Sequence, residues 1–326
     1  MKPTEVKKAL ASLWSTRWPA FIWGPPGVGK SSVVAQLAKE RGLDLVDIRA
    51  PLLDPTDLRG IPAVVGDRAV WFPPAFLPRS DARPGILFFD ELNAATPIVQ
   101  ASLYQLVLDR RIGEYVLPPG WTIVAAGNRE EDRSLAYRMP DALANRFIHL
   151  EFTPNFDDWR NWALDRGIHG CIIALLGLRR ELLFKPGKER AFPTPRSWEM
   201  ASDVISAFGG TEGAEDALVG TVGPAAAIEL LALLRDESMA KVVAEAIARP
   251  ADCPIPTDVS QLYVLVSHLA RRVEEAQVVR ASCVLLPRLP IEYAAILAKD
   301  VIRLKPLVVR EKEFKAFFEA NREVFR

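Results

Sequence analysis

The stretch FIWGPPGVGKSS, residues 21–32, constrains this chain more than any other. Apolar residues run into a glycine-rich turn, and Val33, Val34, Leu37 and Ala38 then recur at helical spacing, so a strand feeds a turn that opens a helix. In that context the pattern G-x-x-x-x-G-K-S/T reads as a loop that wraps a triphosphate in backbone N–H groups. Gly24, Gly27 and Gly29 let the chain approach an anion without Cβ clashes, and the helix that follows turns its positive end toward it. Gly24, Pro25, Pro26, Gly27, Val28, Gly29, Lys30, Ser31 and Ser32 are therefore assigned to ATP. Lys30 would reach the β and γ phosphates and the Ser31 hydroxyl would hold Mg²⁺. The bland alternative, a glycine turn that happens to precede a helix, loses ground with each element downstream.

Residues 85–89 form a fully apolar strand, suited to the centre of a sheet covered on both faces, and it ends in Asp90-Glu91. An acidic pair there, one strand after a phosphate loop, places Asp90 in the Mg²⁺ shell and Glu91 as acceptor of a proton from the attacking water. Taken alone, the pair would be a solvated acidic turn. Residues 121–126 are another buried strand, ending in Gly127-Asn128. Doubly wound sheets bind ligands at that end, so Asn128 is expected to orient the water between Glu91 and the γ phosphate. Arg146, before a last strand over residues 147–152, has two readings: a surface arginine paired with a local carboxylate, or a finger supplied to a neighbouring subunit. Arg196, opening a helix with Ser197-Trp198, is placed to fold back onto the nucleotide.

The chain in order reads as a helix over residues 4–14, the phosphate loop and its helix to a Gly42 cap, and a strand at 45–48. A proline-rich excursion over 51–84 follows, an ordered loop with a small hairpin around Gly66, either a partner loop or a packed connector. Then come the acidic strand, a helix over 94–107, and a short hairpin at Gly113. After Thr153-Pro154 strands vanish, which divides the chain into an α/β nucleotide-binding domain, 1–154, and a helical region, 155–326, with helices at Trp159 and Trp162, at 170–183 and beyond. Its Leu and Val stripes read as core. Lys+Arg and Asp+Glu are each 41, so no net field draws the 326-residue chain to nucleic acid or membrane. Cys171, Cys253 and Cys283 form no C-x-x-C pair and read as buried thiols of a reducing cytoplasm. His149, His169 and His268 are scattered and read as packing or surface residues. No apolar run is long enough to span a bilayer.

The series GPPGVGKS, ILFFDE, IVAAGN, ALANRF and TPRSW resembles the AAA+ ATPases, and within them the MoxR family, in the branch with a hairpin before the sensor 1 strand, here residues 109–120. The resemblance covers residues 14–206. It implies a P-loop core with a five-stranded parallel sheet flanked by helices, followed by an all-helical lid and a C-terminal helical region. It places Walker A on Lys30 and Ser31, Walker B on Asp90 and Glu91, sensor 1 on Asn128, the arginine finger on Arg146 and sensor 2 on Arg196. Arg133 and Arg138 stay as rival fingers. Members look like cytoplasmic hexameric ring ATPases that remodel or activate partners bearing von Willebrand factor A domains. The segment between the second and third strands is richer in proline than the family pattern, so pore-loop residues are not assigned. Two other classes stay in play: a nucleic-acid motor, disfavoured by the balanced charge, and a scaffold that binds ATP with little turnover.

Overall fold

The computed structural model describes residues 1–129, 132 and 137–325. The chain divides into two compact units, Met1–Pro154 and Asn155–Arg326. The first opens with α1 (Pro3–Leu13), β1 (Ala20–Trp23), α2 (Lys30–Arg41) and β2 (Asp44–Arg49). The proline-rich excursion follows as α3 (Pro55–Arg59) and a hairpin of β3 (Ile61–Val65) and β4 (Arg68–Phe72). The unit is completed by β5 (Gly85–Asp90), α4 (Pro97–Asp109), the short hairpin β6 (Arg111–Ile112) and β7 (Tyr115–Val116), β8 (Trp121–Gly127), α5 (Asp141–Ala144) and β9 (Ile148–Glu151).

Five of these strands form one parallel sheet in the order β2-β5-β8-β1-β9. The central strands β5 and β8 are buried along their whole length, as their unbroken apolar runs require, while the edge strands β2 and β9 carry exposed residues. Phe21, Leu87, Phe89, Leu92, Leu103 and Ile123 belong to a single buried cluster between sheet and helices. Because every strand runs the same way, all five C-terminal ends lie along one edge of the sheet. The phosphate loop, Asp90 and Asn128 are at that edge.

Local chemistry moves several boundaries. The helix expected from residue 94 begins at Pro97, whose fixed φ and missing N–H suit a first helical position, and residues 92–94 form a 3-10 turn instead. The proline-rich excursion, expected as an ordered loop with a small hairpin, also holds one five-residue helix, α3, started by Asp54 and Pro55. The last strand starts one residue late, because Phe147 turns into the core.

The second unit is helical: α6 (Phe156–Arg166), α7 (Gly170–Leu178), α8 (Pro195–Phe208), α9 (Glu215–Val222), α10 (Pro224–Leu234), α11 (Glu237–Ala248), α12 (Val259–Arg271), α13 (Ala276–Leu285), α14 (Ile291–Leu304) and α15 (Lys312–Ala320). The helix expected to reach residue 183 stops at Leu178, where Arg179 leaves the helical region and a 3-10 turn, Arg180–Leu183, takes over. Trp198 is fully buried and its indole N–H donates to the Leu182 carbonyl at 2.7 Å, which ties α8 to that turn. Arg160 and Asp300 form a buried ion pair, Nη2 to Oδ2 2.6 Å. The three cysteines are free and buried. Among the described residues no helix is long and apolar enough to cross a membrane.

Candidate nucleotide-binding site

β1 delivers the chain into the glycine-rich turn, and α2 begins at Lys30, directly after Gly29. Gly29 has φ +103°, a conformation that a side chain would strain, and an added Cβ there would meet nothing within 4 Å. The glycine is thus required by backbone shape, and that shape aims the first N–H groups of a twelve-residue helix out of the loop. Lys30 is buried, and its ammonium donates to the carbonyls of Gly24 at 2.5 Å and Pro25 at 2.9 Å and to Asn128 Oδ1 at 2.8 Å. A buried cation held among oxygens at the mouth of an amide-lined turn suits the charge of a triphosphate.

Asp90 ends β5 and is buried. Ser31 Oγ donates to Asp90 Oδ2 at 2.6 Å, so the hydroxyl and the carboxylate converge from the helix start and the neighbouring strand. Hydroxyl and carboxylate oxygens at that separation are the donor set a hard divalent ion takes, and the residues fit Mg²⁺. Glu91, the next residue, is exposed and sits at φ 56°, a left-handed conformation uncommon for a non-glycine residue. Its backbone N–H donates to Asp90 Oδ1 at 3.0 Å. Backbone strain of this kind concentrates at functional positions.

Asn128, at the end of β8, is brought to the same edge. Its side-chain oxygen receives the Lys30 ammonium rather than facing open solvent, and its backbone carbonyl accepts from Asn93 Nδ2 at 2.7 Å. Asn93 was not singled out from the sequence; it lies in the turn after Glu91 and positions Asn128 from behind. Arg49 was likewise missed. It is the last residue of β2, in register with Asp90, and its guanidinium is bonded to Asp90 Oδ2. A basic residue closing the strand next to an acidic strand end was the available signal. Asp47, on the same strand, has its carboxyl pushed up by burial, against the pull of the Arg49 charge.

Arg146 does not join this group. It precedes β9 at the opposite edge of the sheet, where its Nη2 donates to the Tyr104 hydroxyl at 3.3 Å and its guanidinium lies over the Tyr104 ring, 5.8 Å from the centroid. The rival Arg138 is exposed and paired with Asp141 at 3.3 Å, and Arg133 lies outside the described residues. Arg196 is an exposed residue in the first turn of α8, in the second unit.

Residues 20–153 match the model of the ATPase family associated with various cellular activities (AAA). Over 147 residues the chain is 29% identical to the denitrification regulatory protein NirQ of Stutzerimonas stutzeri, covering 43% of this chain and 53% of NirQ. Over 160 residues it is 31% identical to midasin of Giardia intestinalis, covering 45% of this chain and 3% of midasin. The chain thus spans about half or less of the length of these relatives. Among solved structures it is similar to the RuvB Holliday junction branch migration motor of Thermotoga maritima, with TM-score 0.40, 18% identity, and coverage of 82% of this chain and 81% of that one. Residues 20–153 carry the phosphate loop, the acidic strand end and the parallel sheet together, the make-up of the AAA family whose model they match.

Proposed function

We propose that the chain hydrolyses ATP with Mg²⁺ in a homo-oligomeric ring of the MoxR type, hexameric as in that family, and uses the cycle to remodel a protein client. The observation that carries this reading is the division of charged groups between the two edges of the sheet. Lys30, Ser31, Asp90, Glu91 and Asn128 gather at one edge, and Arg146 stands at the other. β1 alone, four residues long, separates the edges by about 13 Å at ~3.3 Å per residue. Arg146 therefore serves a nucleotide held by a neighbouring copy.

In this reading the loop amides and Lys30 hold the phosphates, and Ser31 and Asp90 hold Mg²⁺, which when bound neutralises charge on the phosphoryl oxygens. Glu91 takes the proton of the attacking water. Asn128 holds Lys30 and the water in place, Arg146 of the adjoining copy meets the charge of the transition state, and Arg196 closes from the helical lid, residues 155–326. An arginine finger is worth about 10³ to 10⁵ in rate, so a lone subunit is nearly idle. A protein client is supported by the β3–β4 hairpin, where Ile61, Val65 and Phe72, on one face, are 75%, 53% and 52% exposed. Apolar side chains grouped in this way mark contact surfaces. The family resemblance directs attention to clients bearing a von Willebrand factor A domain.

The test is a Glu91→Gln subunit loaded with ATP and used as a trap. It should bind ATP without cleaving it and retain a client carrying a von Willebrand factor A domain. Cleavage by Glu91→Gln would remove Glu91 from the base role. Turnover stimulated by DNA in a salt-dependent manner, with no protein client retained, would place the chain among nucleic-acid motors.

A further inference from the structure

Arg146 does not stand alone at its edge of the sheet. It lines a cavity of about 180 Å³ together with Arg17, Arg110, Trp18 and Val107. Arg17 lies in the link between α1 and β1, and Arg110 follows α4 directly, so three separate segments each place one guanidinium at this cavity. None of the three has a carboxylate partner within salt-bridge distance among the described residues, whereas Arg49, Arg83 and Arg129 of the same unit do. Arg110 donates to the Trp121 carbonyl at 2.5 Å, which fixes it in place without neutralising it. Burial disfavours its charge, and the Arg17 charge disfavours it further. Like charges gathered without a counter-ion are a cost that an arriving anion relieves.

The backbone points to the same place. Among the described residues the non-glycine positions with positive φ are Arg17 at 63°, Glu91 at 56° and Arg110 at 56°. One is the expected general base and the other two line this cavity. Strain retained at long cationic side chains, where glycine would remove it, suggests that their direction is what matters.

The cavity is smaller than the roughly 300 Å³ at which pockets begin to enclose a whole ligand. It therefore suits the protruding end of an anion that is held elsewhere. It also lies at the sheet edge remote from the chain's own phosphate loop.

We propose that Arg17 and Arg110 join Arg146 in a three-arginine seat for the terminal phosphates of ATP bound by an adjacent copy. This rests on the reading of Arg146 as acting in trans. Arg146 meets the γ phosphate, and Arg17 and Arg110 hold the remaining charge of the polyphosphate and so orient it.

The experiment uses full-length chains in pairwise mixtures. Glu91→Gln subunits offer an intact seat and cannot hydrolyse their own ATP; Arg17→Gln, Arg110→Lys and Arg146→Ala subunits carry an intact catalytic edge and a damaged seat. Alone, Arg146→Ala should lose at least about 10³-fold in kcat, as loss of a finger does, and Arg17→Gln and Arg110→Lys about 10²-fold, the usual cost of removing or misplacing one positioned charge donor. Binding of a fluorescent ATP analogue by subunits too dilute to assemble, which reports on the variant's own phosphate loop, should be unchanged. Mixed in equal amounts with Glu91→Gln, each variant should recover about a quarter of wild-type turnover, because one junction in four pairs an intact site with an intact seat. If Arg146→Ala recovers in the mixture while Arg17→Gln and Arg110→Lys either keep wild-type turnover alone or fail to recover, the seat is refuted and the trans finger stands. If no mixture recovers, Arg146→Ala included, the trans reading falls and the seat with it.

Discussion

Gly127→Ala tests whether the end of β8 is held as tightly as the geometry implies. A Cβ at this position would sit 2.2 Å from Asn93 Oδ1, 2.8 Å from Asn93 Cγ and 2.8 Å from Phe21 Cζ. The nearest of these is more than 1 Å inside ordinary contact, so the Asn93 amide has to move. Its donation to the Asn128 carbonyl, 2.7 Å in the native arrangement, is then lost. A buried carbonyl left unpaired costs about 1–3 kcal/mol. Overpacking against the Phe21 ring adds about 1–3 kcal/mol. The sum, about 2–6 kcal/mol, lowers the melting temperature of a unit of this size by roughly 5–20 °C. Asn128 also holds the Lys30 ammonium, so ATP turnover falls with stability. Calorimetry and steady-state turnover on the single variants and on Gly127→Ala/Asn93→Ala measure the effect. The lost hydrogen bond is common to both single changes and is counted once in the double variant, which should therefore be less destabilised than the sum by about 1–3 kcal/mol. A Gly127→Ala protein with native melting temperature and turnover, or strict additivity in the double variant, would refute the reasoning.

Arg160→Met should destabilise the helical unit by about 3–5 kcal/mol, because it strands the Asp300 carboxylate in a site where the pair is 8% and 7% exposed. Arg160→Met/Asp300→Leu should restore most of the urea midpoint, and a double variant as unstable as the single would count against the pair. His169 and His268 pack ring to ring at 5.7 Å, and burial holds each near pH 4 against an ordinary 6.5. The unfolded chain binds more protons between those values, so the stability these neutral rings contribute is present above pH 6.5 and is lost as pH falls toward 4. His268→Gln should flatten the fall of the urea midpoint across that window; an unchanged slope would exclude the histidine pair as its source. Arg49→Gln frees Asp90 Oδ2 from a partly exposed ion pair, and pairs of that kind are worth at most about 1 kcal/mol. The Mg²⁺ concentration for half-maximal binding of a fluorescent ATP analogue should accordingly drop by up to about fivefold. No change on substitution would mean that Arg49 does not compete for the carboxylate.

What could be read from the sequence divides along the range of the interactions involved. The phosphate loop, the five strands of the sheet and the Gly42 cap are each specified within a few neighbouring residues, and these elements were legible before any coordinates. The groups that were not legible act across the sheet. Arg49 reaches Asp90 only because β2 and β5 pair in register, Arg49 against Asp90, over 41 positions of sequence. Asn93 reaches Asn128 across 35 positions, and nothing in the residues next to either one marks the contact. Arg17 and Arg110 are the extreme case: in sequence they are ordinary arginines on unrelated segments, and of the three that line the cavity only Arg146, within ALANRF, was singled out. Their meeting depends on where a parallel sheet puts the N-terminal ends of its strands. A parallel sheet sorts its loops by strand end, so motifs recognised at one end leave the other unread. The motifs of this chain therefore report mainly on the nucleotide edge and say nothing of Arg17 and Arg110, which lie at the other end of the sheet. Those residues betray themselves through physical anomalies instead: positive φ without glycine, and positive charge without a counter-ion.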